Sequence, residues 1–310
     1  MNAHQLKKVF DGQFDIVGVI RTSRYIEAAL AMGKSVPEIK YPTMVVVGLA
    51  YPRRTIPHTK THLVASFYTF GQDYHKVLKN RISKVMSQLP YAYEAGVDNH
   101  PHHERLAATL AGLGYFAKNQ LIINEKYGSY VFLGIVFIDV ELKDEFILPL
   151  TDSCGTCTKC IDACPVNALS EDGYEMNKCI SYYNQSKRIL TDAEIKTNYC
   201  LFGCAICQMV CPKNLGNTNP THPEFELTGK EAVSIVDLFT LSEKQFKQKY
   251  EGMSYLWKGK TILMRNALTL FKNRNIPLNY FKSQELKPKN INWYDDVLKR
   301  TLLGENNEIL

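Results

Sequence analysis

The sequence has no long hydrophobic run and no start that resembles a leader. Its longest apolar stretch, Tyr130–Ile138, is about half of the roughly 18 residues that a membrane-spanning helix needs. Met1–Phe10 holds no apolar run and carries two lysines, unlike a secretory signal peptide. We therefore expect a soluble, cytoplasmic protein, in which cysteines serve as ligands more often than as disulfides.

Low-complexity segments are also lacking, as are internal repeats other than two blocks of cysteines. At 310 residues the chain is long for one domain, so we expect two or three. The formal charge of +6 is unevenly placed: residues 244–300 hold 13 Lys and Arg against 4 Asp and Glu. This basic C-terminal part indicates either an anionic partner such as nucleic acid or a solvated lysine face on ordinary helices.

The cysteines are the most informative residues. The first block, Cys154–Pro165, has the spacing C-x2-C-x2-C-x3-C-P. Bacterial ferredoxins hold [4Fe–4S] clusters with this spacing, and their fourth cysteine reaches a second cluster. The second block, Cys200–Pro212, reads C-x3-C-x2-C-x3-C-P, and Cys179 lies between the two. Structural zinc also uses C-x2-C pairs, but it does not account for the third cysteine or for the repeated Cys-Pro ending. We predict two iron–sulfur clusters.

Strand and helix patterns alternate over the first half of the chain. Three helices are predicted. The first is capped by Thr22 or Ser23 and runs to Met32, the second follows Asp73 as its cap, and the third covers Pro101–Leu113. The pattern predicts a layered α/β domain. The predicted strands are Asp15–Ile20, Thr43–Tyr51, His62–Phe70, Tyr91–Val97 and Tyr130–Val140.

The predicted fold class is α+β. Residues 1–148 form the α/β domain, residues 149–222 a ferredoxin-like double-cluster domain, and residues 223–310 a basic helical region. In that last region Ser242-Glu-Lys-Gln245 has the spacing of a helix capping box.

Asp98 lies between a predicted strand and a predicted helix, where α/β enzymes place reacting groups. Burial would raise the pKa of its carboxyl and make it a proton donor, although a plain helix cap is the alternative. Glu104 and Arg105 suggest a local ion pair. His100, His102 and His103 resemble a zinc cluster in composition, but neighbouring helical residues face different ways.

These motifs together resemble the epoxyqueuosine reductases, which depend on cobalamin and iron–sulfur clusters and act in tRNA queuosine synthesis. The resemblance covers about Phe14 to Asn273. Besides the cysteine blocks, the matching residues are Tyr68-x2-Gly71-x-Asp73-Tyr74-His75, Asp98-x2-Pro101-x2-Glu104-Arg105, Ala111-Gly112-Leu113-Gly114, Lys118, Gly128-Ser129, Cys179-Ile-Ser181-Tyr182, Phe202-Gly203, Gln208 and Arg265-Asn266-Ala267.

The resemblance implies reduction of epoxyqueuosine to queuosine in tRNA, with Asp98 as the proton donor. It also implies that the N-terminal domain binds cobalamin, and that Asp98, Lys118, Ser181, Gly203 and Cys204 approach the corrinoid. One cluster would be held by Cys154, Cys157, Cys160 and Cys211, and the other by Cys164, Cys179, Cys204 and Cys207. Spacing alone does not choose between Cys179 and Cys200, whereas the resemblance favours Cys179.

The chain departs from the family pattern at Ala117, Asn119 and Ala205, where Gly, His and Asp are common. It is expected to be a short form that lacks most of a C-terminal helical-repeat domain. Its expected partners are the anticodon loop of tRNA, where Tyr182, Tyr183 and Arg188 are candidate contacts, and an external low-potential electron donor. We expect a monomer.

Two other functions remain open at this point. One is a cobalamin-dependent reductase of a small molecule, similar to a dehalogenase. The other is a two-cluster electron-transfer protein without its own catalysis. The basic C-terminal part argues against the first, and the Asp98 motif argues against the second.

Overall fold

The chain alternates short helices and strands in a computed structural model, which describes residues 1–144, 153–216, 219–220, 222–276 and 286–302. The strands are β1 Ile16–Arg21, β2 Thr43–Ala50, β3 His62–Val64, β4 Tyr93–Gly96, β5 Tyr115–Phe116, β6 Ile122–Ile123, β7 Val131–Ile138, β8 Leu169–Ser170, β9 Gly173–Tyr174 and β10 Ala232–Ser234. The helices are α1 Ala3–Phe10, α2 Thr22–Ala31, α3 Tyr74–Met86, α4 Glu104–Leu110, α5 Lys159–Asp162, α6 Ile180–Tyr183, α7 Asp192–Thr197, α8 Ile206–Met209, α9 Ile235–Thr240, α10 Glu243–Lys249, α11 Lys260–Asn273 and α12 Asn292–Leu302.

The largest sheet has the strand order β1-β2-β7-β4, and every neighbouring pair is antiparallel. Strand β2 is buried at all eight positions, in keeping with its central place and its run of valines. One face packs against α2 and α4 through Tyr25, Ala29 and the Leu106–Ala108 segment. Sheet and helices thus form the layered, mixed architecture that the sequence predicts.

The chain forms two compact units, and neither is continuous in sequence. The first unit contains Met1–Pro52, Tyr74–Cys160 and Gln208–Glu224. The second contains Arg53–Asp73, Ile161–Cys207 and Phe225–Leu310. The boundary between the units therefore falls within each cysteine block, after Cys160 in the first block and after Cys207 in the second. The three consecutive domains proposed above stay a prediction.

The core of the second unit is mainly helical. Its α11 is buried along most of its length and packs against α9 and α12. Short strands β3 and β10 pair beside this core, with Leu63 opposite Val233. Two segments distant in sequence are thereby joined, which a basic, helical C-terminal pattern alone does not reveal.

Three local predictions differ from the structure. The strand expected over His62–Phe70 ends at Val64, because Ser66 accepts hydrogen bonds from both the backbone and the hydroxyl of Thr69 and closes a 3-10 turn. Thr22 is not a cap: α2 follows β1 directly, and Arg21 stands at the N-cap without a side-chain bond. The helix expected over Pro101–Leu113 is shorter in the structure, where α4 covers Glu104–Leu110.

Within the described residues, no helix is long and apolar enough to cross a lipid bilayer.

Candidate functional site

Asp98 occupies a strained turn after β4. Its φ of 55° lies in the left-handed region, which a residue with a side chain seldom adopts. The Glu104 carboxylate, in the first turn of α4, accepts a hydrogen bond from the Asp98 N–H at 2.9 Å and thereby fixes the turn. Because α4 begins at Glu104 and its N-cap is His103, the interpretation of Asp98 as a helix cap is wrong.

The Asp98 carboxylate is held from α3. Its Oδ2 lies 3.2 Å from both the Tyr74 hydroxyl and His75 Nε2. The side chain is 53% exposed, and the hydrogen bond from His75 lowers the pKa of its carboxyl. The expectation that burial raises this pKa is therefore wrong, because hydrogen bonding to the charged form outweighs desolvation here.

A column of aromatic rings supports these two donors. The ring of Tyr74 stacks on His75 at 4.0 Å and on Phe132 of β7 at 4.2 Å between centroids. Phe132 in turn stacks on Tyr51 at 4.2 Å. The stack fixes the orientation of Tyr74 and His75 and hence the position of Asp98. Tyr51, Phe132 and the Tyr74–His75 pair lie far apart in sequence, so only the matching motif at Tyr74 and His75 marked any of them beforehand.

The nearby histidines have different partners. His100 donates or accepts a 3.1 Å hydrogen bond with Glu104, whereas the His102 ring contacts the edge of Phe137. Burial lowers the pKa of both His102 and His103. In the part of the chain that the structure describes, no three His, Cys, Asp or Glu side chains could hold a single metal ion. This arrangement gives no support to a zinc site at the histidines.

The suggested pair of Glu104 and Arg105 is wrong. Glu104 binds the Asp98 turn, and Arg105 instead donates a short hydrogen bond to the carbonyl of Gln120. The Arg105 guanidinium also lies 5.5 Å from the centroid of the Phe116 ring.

Four thiols line one pocket of the first unit, and we call them the first cysteine group: Cys154, Cys157, Cys160 and Cys211. Ala117, Asn119, Ile123 and Lys213 complete much of the lining. Burial raises the pKa of the Cys211 thiol. Three thiols from one block thus meet one from the other, as the resemblance implies for one cluster.

The remaining candidates all lie in the second unit and form the second cysteine group: Cys164, Cys179, Cys204 and Cys207. Burial, with a smaller contribution from the neighbouring thiols of Cys179 and Cys164, raises the pKa of Cys204 to about 11. The Tyr199 hydroxyl donates to Cys204 Sγ at 3.3 Å. Cys207, on α8, follows Cys204 by three residues.

The surroundings of Cys200 do not favour a role as a cluster ligand. Its thiol donates to the carbonyls of Val64 and Phe202, and burial raises its pKa to about 12. A fully buried neutral thiol that is satisfied by two backbone carbonyls behaves as a core residue. This environment agrees with the preference for Cys179.

Arg265 and Asn266 fix the backbone around the second cysteine group. Arg265 is fully buried and donates to the carbonyls of Tyr183, Asn184, Ser186 and Arg188. Burial lowers its pKa to about 9, which leaves it charged at neutral pH. The Asn266 amide spans from the carbonyl of Asn184 to that of Leu201. The two residues therefore hold the segments that follow Cys179 and precede Cys204.

The residues expected near a corrinoid fall in both units. Asp98 and Lys118 belong to the first, and Ser181, Gly203 and Cys204 to the second. The Ser181 carbonyl and hydroxyl both accept from the Gln185 amide. Gly203 has a φ of 75°, and a Cβ there would lie 2.4 Å from the Tyr68 hydroxyl, so its lack of a side chain serves the packing of Tyr68.

Among the candidate RNA contacts, the three residues differ sharply. Tyr183 is fully buried and its hydroxyl contacts Thr197, so it is a packing residue of the core. Tyr182 is 38% exposed. Arg188 makes a two-pronged ion pair with Glu194. Only Tyr182 presents an unburied aromatic ring.

Comparisons with known proteins agree with this geometry. A family model described as a 4Fe-4S double cluster binding domain matches residues 153–214, and one described as epoxyqueuosine reductase QueG, DUF1730, matches residues 32–106. The epoxyqueuosine reductase of Bacillus anthracis is 35% identical over 276 residues, covering 84% of this chain and 70% of that protein. That of Lactococcus garvieae is 33% identical, covering 75% of this chain and 69% of that protein.

The chain belongs to the epoxyqueuosine reductase family. Solved structures of this family share its fold. A crystal structure of epoxyqueuosine reductase with an epoxyqueuosine-modified tRNA stem loop has a TM-score of 0.80 and 25% identity, covering 99% of this chain and 96% of that one. The Bacillus subtilis epoxyqueuosine reductase, with an aspartate catalytic loop swung out of its active site, has a TM-score of 0.78, 26% identity and the same coverage.

Proposed function

We propose that this protein reduces epoxyqueuosine to queuosine in tRNA. Membership of the epoxyqueuosine reductase family supports the reaction, and the related structure with a modified tRNA stem loop supports the substrate. The observation that carries the proposal in this chain is the Asp98 turn, where a constrained carboxylate meets two donors from α3. A merely electron-carrying protein has no need of such a turn.

The cofactors we propose are two [4Fe–4S] clusters and cobalamin. Four thiolates are the usual ligand set of a [4Fe–4S] cluster, and the pocket shared by the first cysteine group fits this requirement. A bound cation would deprotonate these thiols, including Cys204, whose pKa burial raises. When bound, the clusters and the corrinoid would supply the low-potential electrons that no side chain can provide.

For cobalamin the support is the family resemblance. We propose that Asp98, Lys118, Ser181, Gly203 and Cys204 lie beside it. Ser181 and Gly203 are fixed by hydrogen bonds within the chain: the Ser181 carbonyl accepts from Gln185, and the Gly203 N–H donates to Asn184. Location in the cytoplasm, a monomeric state and an external electron donor remain part of the proposal.

Asp98 would deliver the proton to the departing epoxide oxygen. With its pKa lowered, the carboxyl is seldom protonated alone at neutral pH. We therefore assign the proton to the pair of Asp98 and His75: the imidazolium form of His75 supplies the proton and Asp98 passes it on. The exposed face of the Asp98 side chain leaves it accessible to substrate.

The basic C-terminal part would bind tRNA phosphates. Not every cation there is available, because Arg265 and Lys260 are buried and Arg300 pairs with Asp296. Exposed lysines on α10, such as Lys244 and Lys247, remain for this role. Binding should weaken steeply with salt, since phosphate neutralisation releases counterions.

The test is Asp98→Asn, which keeps the shape of the side chain and removes the acid. We expect conversion of epoxyqueuosine in tRNA to fall by at least about 100-fold, the usual worth of a positioned general acid, with about eight irons per chain retained. His75→Gln should reduce the rate less and shift its pH profile. The matched control is Glu94→Gln, an exposed acid on β4 that should leave activity unchanged.

Full activity of Asp98→Asn would remove Asp98 from this role. Active reduction of a small molecule together with salt-insensitive tRNA binding would favour the dehalogenase-like alternative.

A further inference from the structure

Two buried polar atoms beside the first cysteine group have no hydrogen-bond partner in the described part of the chain. They are the Tyr115 hydroxyl and Asn119 Nδ2. The residues are 8% and 6% exposed. Buried polar groups in native proteins are nearly always paired, so each such atom indicates a function or a missing partner.

The orientation of the Asn119 amide is fixed by the chain itself. Its Oδ1 accepts a hydrogen bond from the Leu121 N–H at 3.2 Å. A backbone N–H needs an acceptor, so the oxygen must lie on that side and the NH2 group on the other. Asn119 lines the same pocket as the four thiols. The NH2 group of this lining residue is therefore left without an acceptor among the described residues.

Tyr115 approaches the same thiols from β5. The pairing of Tyr115 with Ile123 of β6 places its side chain in a small cluster with Ala117 and Cys211, against which Cys154 packs. Its hydroxyl makes no hydrogen bond of normal geometry in the described chain, although the side chains of Ser153 and Cys154 lie near it. A phenylalanine would fill the same space, so packing alone does not explain the oxygen.

We propose that Asn119 Nδ2 and the Tyr115 hydroxyl donate hydrogen bonds to sulfurs of the cluster held by the first cysteine group. This inference rests on the proposed function, since it requires that cluster. Reduction adds negative charge to the cluster, and hydrogen bonds to sulfur stabilise that charge. The two residues thus tune the potential of this cluster upward and act on electron transfer without contacting the substrate.

The experiment is an anaerobic redox titration of the cluster-loaded protein, followed by electron paramagnetic resonance. Asn119→Asp keeps the acceptor for Leu121 and replaces the donor with oxygen, and Tyr115→Phe removes only the hydroxyl. At the potential where this cluster is half reduced in the unaltered protein, we expect each variant to lower its reduced-to-oxidised ratio about three- to tenfold. Tenfold corresponds to about 59 mV for a one-electron couple.

The matched control is Tyr294→Phe, which removes another buried hydroxyl without a partner in the described chain, on α12 and outside the pocket of the first cysteine group. It should leave both potentials unchanged. If either Tyr115→Phe or Asn119→Asp keeps about eight irons and the original potential, its donor role is wrong. Unaltered protein with only about four irons would instead overturn the proposed function, so the two failures are distinguishable.

Discussion

The two cysteine groups offer equal numbers of thiols in different surroundings. The first lies beside the short β5–β6 hairpin, where two polar donors lack partners in the described chain. Protein groups donate to sulfur in both: the backbone of Lys213 and Asn214 to Cys211 in the first, and Tyr199 to Cys204 and the Ala168 N–H to Cys164 in the second. Tyr199 and Ala168 lie beside the cysteine blocks in sequence, whereas Tyr115 and Asn119 come from a segment remote from both blocks. The comparison indicates that each cluster is tuned by its own compact unit.

The largest expected effect is the loss of one cluster. Cys179→Ser should lower the iron content from about eight to about four per chain, because one of four thiolates is removed. Cys200→Ser should keep about eight irons, since its thiol bonds to Val64 and Phe202 carbonyls instead. Iron and sulfide analysis of anaerobic protein measures both. The reverse result would exchange the roles of Cys179 and Cys200 and break the division into two groups.

The next effect concerns the support of the second group. Arg265→Met leaves several buried carbonyls without their donor, and we expect the free energy of unfolding to fall by about 3–5 kcal/mol. Arg54→Met, which removes a more exposed ion pair with Glu226, should cost about 1 kcal/mol or less.

Denaturant titration of the anaerobic protein gives both values. A loss of second-cluster iron in Arg265→Met, with the first cluster retained, would sharpen the distinction between the units. Equal decreases in the free energy of unfolding for the two arginine variants would show that the hydrogen bonds from Arg265 to the backbone carbonyls contribute little.

The sequence allowed the strands and several helix signals to be predicted because these depend on neighbours in the chain. The apolar runs became β2 and β7, and Ser242 and Gln245 form the capping box of α10. The environment of Asp98 was not predictable, since His75 reaches it across 23 residues through the packing of α3. Its pKa was predicted in the wrong direction because desolvation was weighed without that hydrogen bond.

The smallest effects are expected from one acidic residue in each unit. Burial raises the pKa of Glu224 and of Glu194, but hydrogen bonds from Arg81 and Arg188 outweigh it, so both pKa values are lowered. Each pair therefore contributes stability above the ordinary value of 4.5 and loses it as the pH falls through the lowered value.

Glu224→Gln and Glu194→Gln should each cost about 1 kcal/mol or less at pH 7. Their melting temperatures should also fall less between pH 7 and pH 4 than that of the unaltered protein. Glu226→Gln, at a carboxylate whose side chain is 56% exposed, is the control. If the melting temperature of either variant falls between pH 7 and pH 4 as much as that of the unaltered protein, the stability of its unit does not depend on the pair.

The way the compact units interrupt both cysteine blocks has a consequence for synthesis on the ribosome. Under the proposed ligand sets, the second set of thiols is complete only when Cys207 has emerged, and the first only when Cys211 follows four residues later. A nascent chain that ends earlier exposes several unliganded thiols to oxygen. Iron loading should therefore begin late and nearly together for both clusters, when about two thirds of the polypeptide has been made.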